Sequence, residues 1–111
     1  RLILADALSF TEKHLKPDSI IDIATLSGAC VVTFGEHVAA YLTDDEGLSK
    51  LLEEASKKTG EKIWRMPFFP EYEESLKSEI ADLSNIPSEK NAGTIAGATF
   101  LKNFIKKTKW A

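Results

Sequence analysis

The residues of this chain best suited to binding a ligand lie in one short stretch, Ile20–Gly28, which reads IIDIATLSG. Its first half is an apolar run typical of a buried strand, and its second half is a turn of small and hydroxyl residues that leads into GACVVTFG. A strand that ends in such a turn presents backbone N–H groups and hydroxyls at the carboxyl edge of a sheet, where open α/β folds bind ligands. We therefore expect the site at this turn.

The other side chains that could do chemistry are isolated in the sequence. His14 and His37 belong to no His-x-x-x-His pair, and we expect each to have a surface or core role. Cys30 lies among apolar residues of a predicted helix, which favours a buried, unreactive thiol. Asp22 interrupts the apolar strand, and it either faces solvent, is paired or is functional, with a structural role favoured. From residue types alone the sequence predicts no metal-ligand set and no catalytic group.

Hydrophobic periodicity predicts the elements that would position the turn. The pattern Thr43-Asp44-Asp45-Glu46 matches a capping box, in which Thr43 begins a helix and Glu46 completes the cap. Thr25 or Ser27 could cap the helix after the turn. The sequence predicts helices over 2–15, 28–35, 43–59, 71–83 and 93–105, strands over 20–24 and 37–42, and an extended stretch over 63–70. This order predicts an α/β fold with a sheet flanked by helices.

Composition and charge exclude several classes of partner. A hydrophobic fraction of 43% and a charged fraction of 28% are ordinary for a globular domain. The net charge of −3 and the pI near 5.4 argue against a nucleic-acid partner, which needs a clustered basic excess. Nothing approaches the roughly 18 consecutive apolar residues of a membrane span. A single cysteine cannot form an internal disulfide, so we expect a cytoplasmic protein.

The two ends of the sequence suggest a piece of a longer chain. Arg1 stands where an initiator Met would be, and it leads directly into a helical pattern. The sequence closes on Lys109-Trp110-Ala111 as a new apolar run begins. We therefore expect residues 1–111 to form a single partial domain.

Several motifs, in order along the chain, closely resemble the leucyl (cytosol) aminopeptidase family. They are RLILADAL at 1–8, DIATLSGA at 22–29, WRMP at 64–67, ADLSN at 81–85, and AG at 92–93 followed by FL at 100–101. The resemblance covers the whole chain. It implies a fragment of the C-terminal catalytic domain, a phosphorylase/hydrolase-like α/β domain that holds two metal ions.

The resemblance also implies roles for individual residues. The family signature Asn-Thr-Asp-Ala-Glu-Gly-Arg supplies two metal-binding carboxylates and ends in an arginine that holds a bicarbonate ion. Only that final arginine is present, as Arg1, so the metal ligands would lie upstream and none is expected in this chain. Thr25, Leu26 and Gly28 match residues that line the pocket for the substrate's N-terminal side chain or contact substrate and bicarbonate through the backbone.

The implied activity is metal-dependent release of N-terminal amino acids from peptides. The parent enzyme would use two divalent ions, zinc or manganese, with bicarbonate at Arg1, and would assemble as a homo-hexamer. The fragment alone is expected to bind no metal and to be inactive, because it lacks the ligand set. The family's next strand would begin at the Trp-Ala pair that closes this sequence.

Two hypotheses from other classes remain open at this stage. In the first, the chain is a non-catalytic assembly module whose interface consists of the aromatic segment Trp64–Phe69 and the small face of the helix at Gly93. In the second, it is a freestanding ligand-binding α/β domain that uses the turn at 25–28. The residues that precede Arg1 in the gene would discriminate between these hypotheses and the peptidase.

Overall fold

The computed structural model describes residues 1–89 and 91–111. It contains five α-helices and four short strands. The helices are α1 (Leu2–Phe10), α2 (Ala29–Phe34), α3 (Glu46–Thr59), α4 (Pro70–Glu74) and α5 (Gly93–Lys102), and the strands are β1 (Ser19–Ile20), β2 (Ala39–Tyr41), β3 (Ile63–Arg65) and β4 (Lys109–Trp110). None of the helices in this described part is long and apolar enough to cross a membrane.

The first helix matches the prediction over 2–15 almost to the residue. The α-helical part, α1, continues into a π-helical turn at Thr11–Leu15. The helix ends at Lys16, whose φ of 49° is left-handed. Pro17 explains this end, because a proline disfavours helical geometry in the residue before it. Ala5 and Leu8, on the inner side of the helix, are buried.

The strands pair in parallel as two separate pairs, β1 with β4 and β2 with β3. In the second pair α3 forms the connection, as parallel neighbours require a crossover. The predicted α/β class is therefore confirmed. The predicted strand over 20–24 is wrong in extent, since regular pairing stops at Ile20 and one further hydrogen bond joins Asp22 N–H to Ala111 O at 3.0 Å. No strand of the described chain lies beside the residues that follow, and a strand needs a partner to form a ladder.

The helix α3 has the predicted end but a different cap. Asp45 is the N-cap, and its Oδ1 accepts the Leu48 N–H at 2.7 Å. Thr43, predicted to play that part, instead donates its hydroxyl to the Trp110 carbonyl at 2.6 Å. The capping-box prediction is wrong because α3 begins only at Glu46, so Asp45 is its N-cap, and the Thr43 oxygen accepts the Asp45 N–H at 3.1 Å ahead of the helix. Gly60, in the left-handed region at φ 78°, ends the helix as expected.

The predicted helix over 71–83 is wrong beyond its first turn, because α4 ends at Glu74. Ser78 Oγ accepts the Ile80 N–H at 3.3 Å, and such local side-chain bonds compete with helical ones. Leu76 is fully buried whereas Ile80, four residues further on, is 98% exposed, so the two do not share a buried helix face.

The core is built around α5. Its residues from Thr94 to Leu101 are all buried, and they pack with the other core residues, among them Ala5, Leu8, Leu42, Leu76 and Trp110. The helix was predicted to reach 105 but ends at Lys102, where Phe104 N–H bonds to Leu101 O in a tighter turn.

Candidate functional site

The turn singled out from the sequence has no regular secondary structure and leads into the short helix α2. Thr25 and Gly28 are exposed, and Leu26 and Ser27 are half-buried. Ser27 Oγ accepts the Ala29 N–H at 3.2 Å. The N-cap of α2 is nevertheless Gly28, which makes no side-chain cap bond, so the prediction that Thr25 or Ser27 caps this helix is wrong. The backbone of the turn is held at its C-terminal end, while Thr25 and Gly28 stay accessible to a ligand.

Asp22 lies just before the turn and is paired rather than free. Its Oδ2 accepts the indole N–H of Trp110 at 2.5 Å. Burial raises the pKa of the Asp22 carboxyl, and the hydrogen bond from Trp110 partly opposes that rise. Of the roles considered from the sequence, the paired one is observed. The contact holds the strand before the turn against β4.

Arg1 is fixed, not a loose chain end. Its Nη1 donates to the carbonyl of Asn85 at 2.5 Å, and its Nη2 donates to the carbonyl of Gly93 at 3.2 Å. The side chain is half-buried along the beginning of α5. A guanidinium carries five N–H donors in a rigid fork, so these two bonds fix its plane and leave donors for an anion.

One face of α5 brings Arg1 and the turn together. A Cβ added to Gly97 would lie 3.0 Å from Leu26 Cδ2 and 3.3 Å from Arg1 Nε. A Cβ added to Gly93 would lie 3.0 Å from Ser27 Oγ. The arginine and the turn thus pack on the same glycine-containing face, and the site consists of a guanidinium beside an accessible loop. The arrangement suits binding and orienting an anion and an extended substrate.

This placement also bears on the assembly-module hypothesis. The small face of α5, proposed there as an interface, is covered within the chain by Arg1 and Leu26. Large side chains of the aromatic segment do remain accessible, since Trp64 is 64% exposed and Phe69 is 55% exposed. Of the two features behind that hypothesis, only the aromatic segment is open to a partner.

The remaining candidate residues lie apart from this site. The imidazole of His14 packs against Phe10 in a tilted arrangement with the ring centroids 4.6 Å apart, and His37 is exposed, as expected of surface residues. Cys30 is a free thiol that is half-buried rather than buried, because α2 is only partly covered. Within residues 1–89 and 91–111, no group of three or more His, Cys, Asp or Glu side chains could hold a metal ion.

Sequence reasoning missed the two carbonyl groups that hold Arg1. Asn85 and Gly93 both lie in motifs that carried the family resemblance, but neither was given a role in holding Arg1. They act through main-chain oxygens, which every residue possesses, so their side-chain identity carries no direct signal. The only indication was that a glycine stands at the start of a helix.

Comparison with known proteins identifies the family of this chain. A family model described as the catalytic domain of the cytosol aminopeptidase family matches residues 1–111. A probable cytosol aminopeptidase of Cenarchaeum symbiosum (strain A) is 49% identical over 110 residues, which cover 99% of this chain and 22% of that protein. Another from Synechococcus sp. (strain JA-3-3Ab) is 50% identical over 111 residues, covering all of this chain and 21% of the relative.

A solved structure extends the similarity to three dimensions. A mutant of tomato leucine aminopeptidase superposes with a TM-score of 0.92 at 43% identity, over 98% of this chain and 21% of the tomato chain. The chain thus spans about a fifth of the length of the relatives it matches. Because the family match covers every residue, this chain belongs to the cytosol aminopeptidase family, in the region of its catalytic domain.

Proposed function

We propose that this chain is part of the catalytic domain of a metal-dependent leucyl-type aminopeptidase, which releases N-terminal amino acids from peptides. The observation that carries the proposal is the packing of Arg1 and the Thr25–Gly28 turn on one face of α5, in a member of this family. Since the chain spans about a fifth of its relatives, the rest of the active site would come from residues outside it.

The residues of this chain do not fit the two metal ions. No suitable ligand cluster exists among residues 1–89 and 91–111. The zinc or manganese ions that the resemblance implies would therefore be held outside this chain, and the reaction class is metal-assisted amide hydrolysis. We propose that the isolated chain is inactive for this reason.

Arg1 does fit a bicarbonate ion. Two carbonyls fix the plane of its guanidinium, and Nε and the remaining Nη hydrogens are left as donors. A planar fork suits the flat, charged edge of such an anion better than the point charge of a lysine does. When bound there, bicarbonate would supply a base for the proton of the attacking water. The part played by Arg1 is to hold that base in one orientation.

The turn would form a wall of the substrate site. Leu26 is half-buried against Gly97, so it offers an apolar surface for the N-terminal side chain of the substrate. Gly28 has open space where a Cβ would lie, which lets a substrate backbone approach closely. Thr25 is exposed at the start of the same turn. Together these residues would bind and orient the peptide without taking part in bond cleavage.

Assembly and location follow as further proposals from family membership. Ile21 and Ile23 are 53% and 96% exposed beside the site, which suits coverage by the remainder of a longer chain. We propose that the complete enzyme is a homo-hexamer in the cytoplasm, acting on peptides and not on nucleic acids or membranes. Light scattering of the full-length protein would test the hexamer.

One experiment tests the enzymatic proposal. The full-length protein and the 111-residue chain are each assayed with leucine p-nitroanilide, before and after treatment with a chelator. We expect the full-length protein to be active, to lose activity with the chelator and to recover it with zinc or manganese. We expect no activity from the 111-residue chain.

N-acetyl-leucine p-nitroanilide serves as the control substrate, because it lacks the free amino terminus and should resist the full-length enzyme. Hydrolysis of leucine p-nitroanilide by the 111-residue chain would refute its proposed inactivity. If the activity of the full-length protein is unchanged by the chelator, the proposed metal dependence is refuted.

A further inference from the structure

We propose that Gly93 is a positioning residue that couples the anion-holding arginine to the substrate-binding turn. The inference rests on the proposed function and adds a residue to which that function assigns no part. Gly93 contacts both halves of the site: its carbonyl accepts Arg1 Nη2–H at 3.2 Å, and its missing side chain lets the turn approach.

The turn approaches Gly93 so closely that an added methyl group would be crowded. A Cβ on Gly93 would lie 3.0 Å from Ser27 Oγ and 3.2 Å from Ala29 Cβ. Ser27 Oγ is held by the Ala29 N–H, and Ala29 Cβ cannot move without the backbone of Ala29, the first residue of α2. A methyl group would therefore force a shift of a few tenths of an ångström between the turn and the start of α5, where the Gly93 carbonyl binds Arg1.

The backbone on the other side of Gly93 is fixed as well. Ala92 adopts a left-handed conformation, φ 49° and ψ 37°, which is unusual for a residue with a side chain. Its carbonyl accepts the Ala96 N–H at 2.9 Å. This geometry sets the direction in which α5 begins, and so where the Gly93 carbonyl points.

Gly97 differs from Gly93 although it lies on the same face. A Cβ on Gly97 would also meet both halves of the site, at Leu26 Cδ2 (3.0 Å), Leu26 Cγ (3.1 Å) and Arg1 Nε (3.3 Å), but it would do so only through atoms of long side chains. Such side chains can shift by a few tenths of an ångström more easily than Ala29 Cβ, which is bonded to the backbone of α2. Gly97 also gives no carbonyl to Arg1 among the described hydrogen bonds. Coupling between the two halves is therefore assigned to Gly93.

The test is a double-mutant cycle in the full-length enzyme, with Arg1→Ala, Gly93→Ala and the double variant. We expect Gly93→Ala alone to lower kcat at least about tenfold, as a displaced catalytic anion would. In the Arg1→Ala background the same substitution should change kcat less than about twofold, because Gly93 acts through Arg1. A merely structural role would lower kcat equally in both backgrounds.

Two further variants sharpen the cycle. Ser27→Ala removes the hydroxyl nearest to the added methyl, so it should restore part of the kcat lost in Gly93→Ala. Gly47→Ala is the matched control, because its Cβ would meet Asp45 Oδ1 at 3.1 Å in exposed α3, far in sequence from Arg1, and kcat should not change. If Gly93→Ala unfolds the enzyme, the cycle is run in the Ser27→Ala background.

The outcomes separate the two proposals. If Arg1→Ala leaves kcat unchanged, the proposed role of Arg1 fails, whatever Gly93 does. If Arg1→Ala lowers kcat but Gly93→Ala lowers it by the same factor with and without Arg1, the role of Arg1 stands and the coupling by Gly93 is refuted.

Discussion

Helices α3 and α5 are stabilised in different ways, and the difference explains where the candidate site is found. Helix α3 has 14 residues but buries only Leu48 and Ser49, and its ends are satisfied locally by Asp45 and Gly60. Helix α5 has 10 residues, buries eight in succession and has no side-chain cap. Local sequence thus specifies α3, whereas α5 depends on what surrounds it. The site lies on the helix that depends on its neighbours.

The largest expected effect contrasts one apolar residue from each helix. Phe100 in α5 is 2% exposed, and truncation to alanine should lower the free energy of unfolding by about 3–5 kcal/mol. Leu51 in α3 is 64% exposed, and its truncation should cost less than about 0.5 kcal/mol. Urea denaturation of both variants measures the difference. Equal losses would contradict the contrast between the helices.

A smaller loss of stability is expected from breaking the contact between the Glu12 carboxylate and the loop that follows α5. Glu12 accepts the backbone N–H groups of Lys106, Lys107 and Thr108 at 2.7–3.1 Å. Desolvation, the largest single contribution, raises the pKa of Glu12, but these hydrogen bonds together lower it to about 2. Glu12→Gln should lower the free energy of unfolding at pH 7 by about 1–3 kcal/mol.

The pH dependence of the Glu12→Gln effect has a defined sign. Because the pKa is depressed on folding, the stabilisation is present above the ordinary value of 4.5 and is lost as pH falls toward about 2. Urea titrations at several pH values should show the difference between the wild type and the variant shrinking in that window. A difference that persists unchanged to pH 2 would refute the assignment.

Next in size is the cap of α3. Asp45→Ala removes the acceptor of the Leu48 N–H, and it should cost about 1 kcal/mol of unfolding free energy. Glu54→Ala, at an exposed position of the same helix, is the control and should cost much less. Thermal denaturation compares the two. If both variants lose the same unfolding free energy, the Asp45 cap does not stabilise α3 as proposed.

The smallest expected change in stability is a gain rather than a loss, and it concerns Asp22, next to the site. Because burial raises the pKa of Asp22, the folded chain binds a proton more tightly than the unfolded chain, and its stability falls as pH rises above the ordinary value of 3.8. Asp22→Asn removes this cost and can still accept the Trp110 N–H. A slight stabilisation is expected at pH 7, with little change below pH 3.8, as followed by thermal denaturation. Destabilisation at pH 7 would contradict it.

The same contrast between local and non-local control explains which elements could be predicted. The end of α3 and the stop at Pro17 follow from adjacent residues, and both are found. The cap was predicted at Thr43, but Asp45, two residues further on, supplies it, while the Thr43 hydroxyl donates to Trp110, 67 residues away. The strand over 20–24 and the helix over 71–83 were overestimated, because regular pairing stops at Ile20 and α4 ends at Glu74, beyond which Ser78 binds the backbone locally.

The site was only partly predictable for a similar reason. The turn at 25–28 could be predicted as a site from its small and hydroxyl residues after an apolar run. Arg1 was included in the predicted site because of the motif resemblance. What brings them together is the face of α5 formed by Gly93 and Gly97. Glycines at that spacing indicate a close approach but not the partner, and main-chain acceptors carry no side-chain signal. The hydrogen bond between Arg1 and Gly93 joins residues 92 positions apart, so it could be identified only from the three-dimensional structure.

The central claim is that Arg1 and the turn form one part of an aminopeptidase site. Its most direct test is to measure kcat of the full-length Arg1→Ala variant with leucine p-nitroanilide at saturating bicarbonate. A positioned base contributes on the order of 10²-fold or more, so we predict that kcat falls at least about tenfold with a smaller change in KM. A kcat equal to that of the wild-type enzyme would contradict the account.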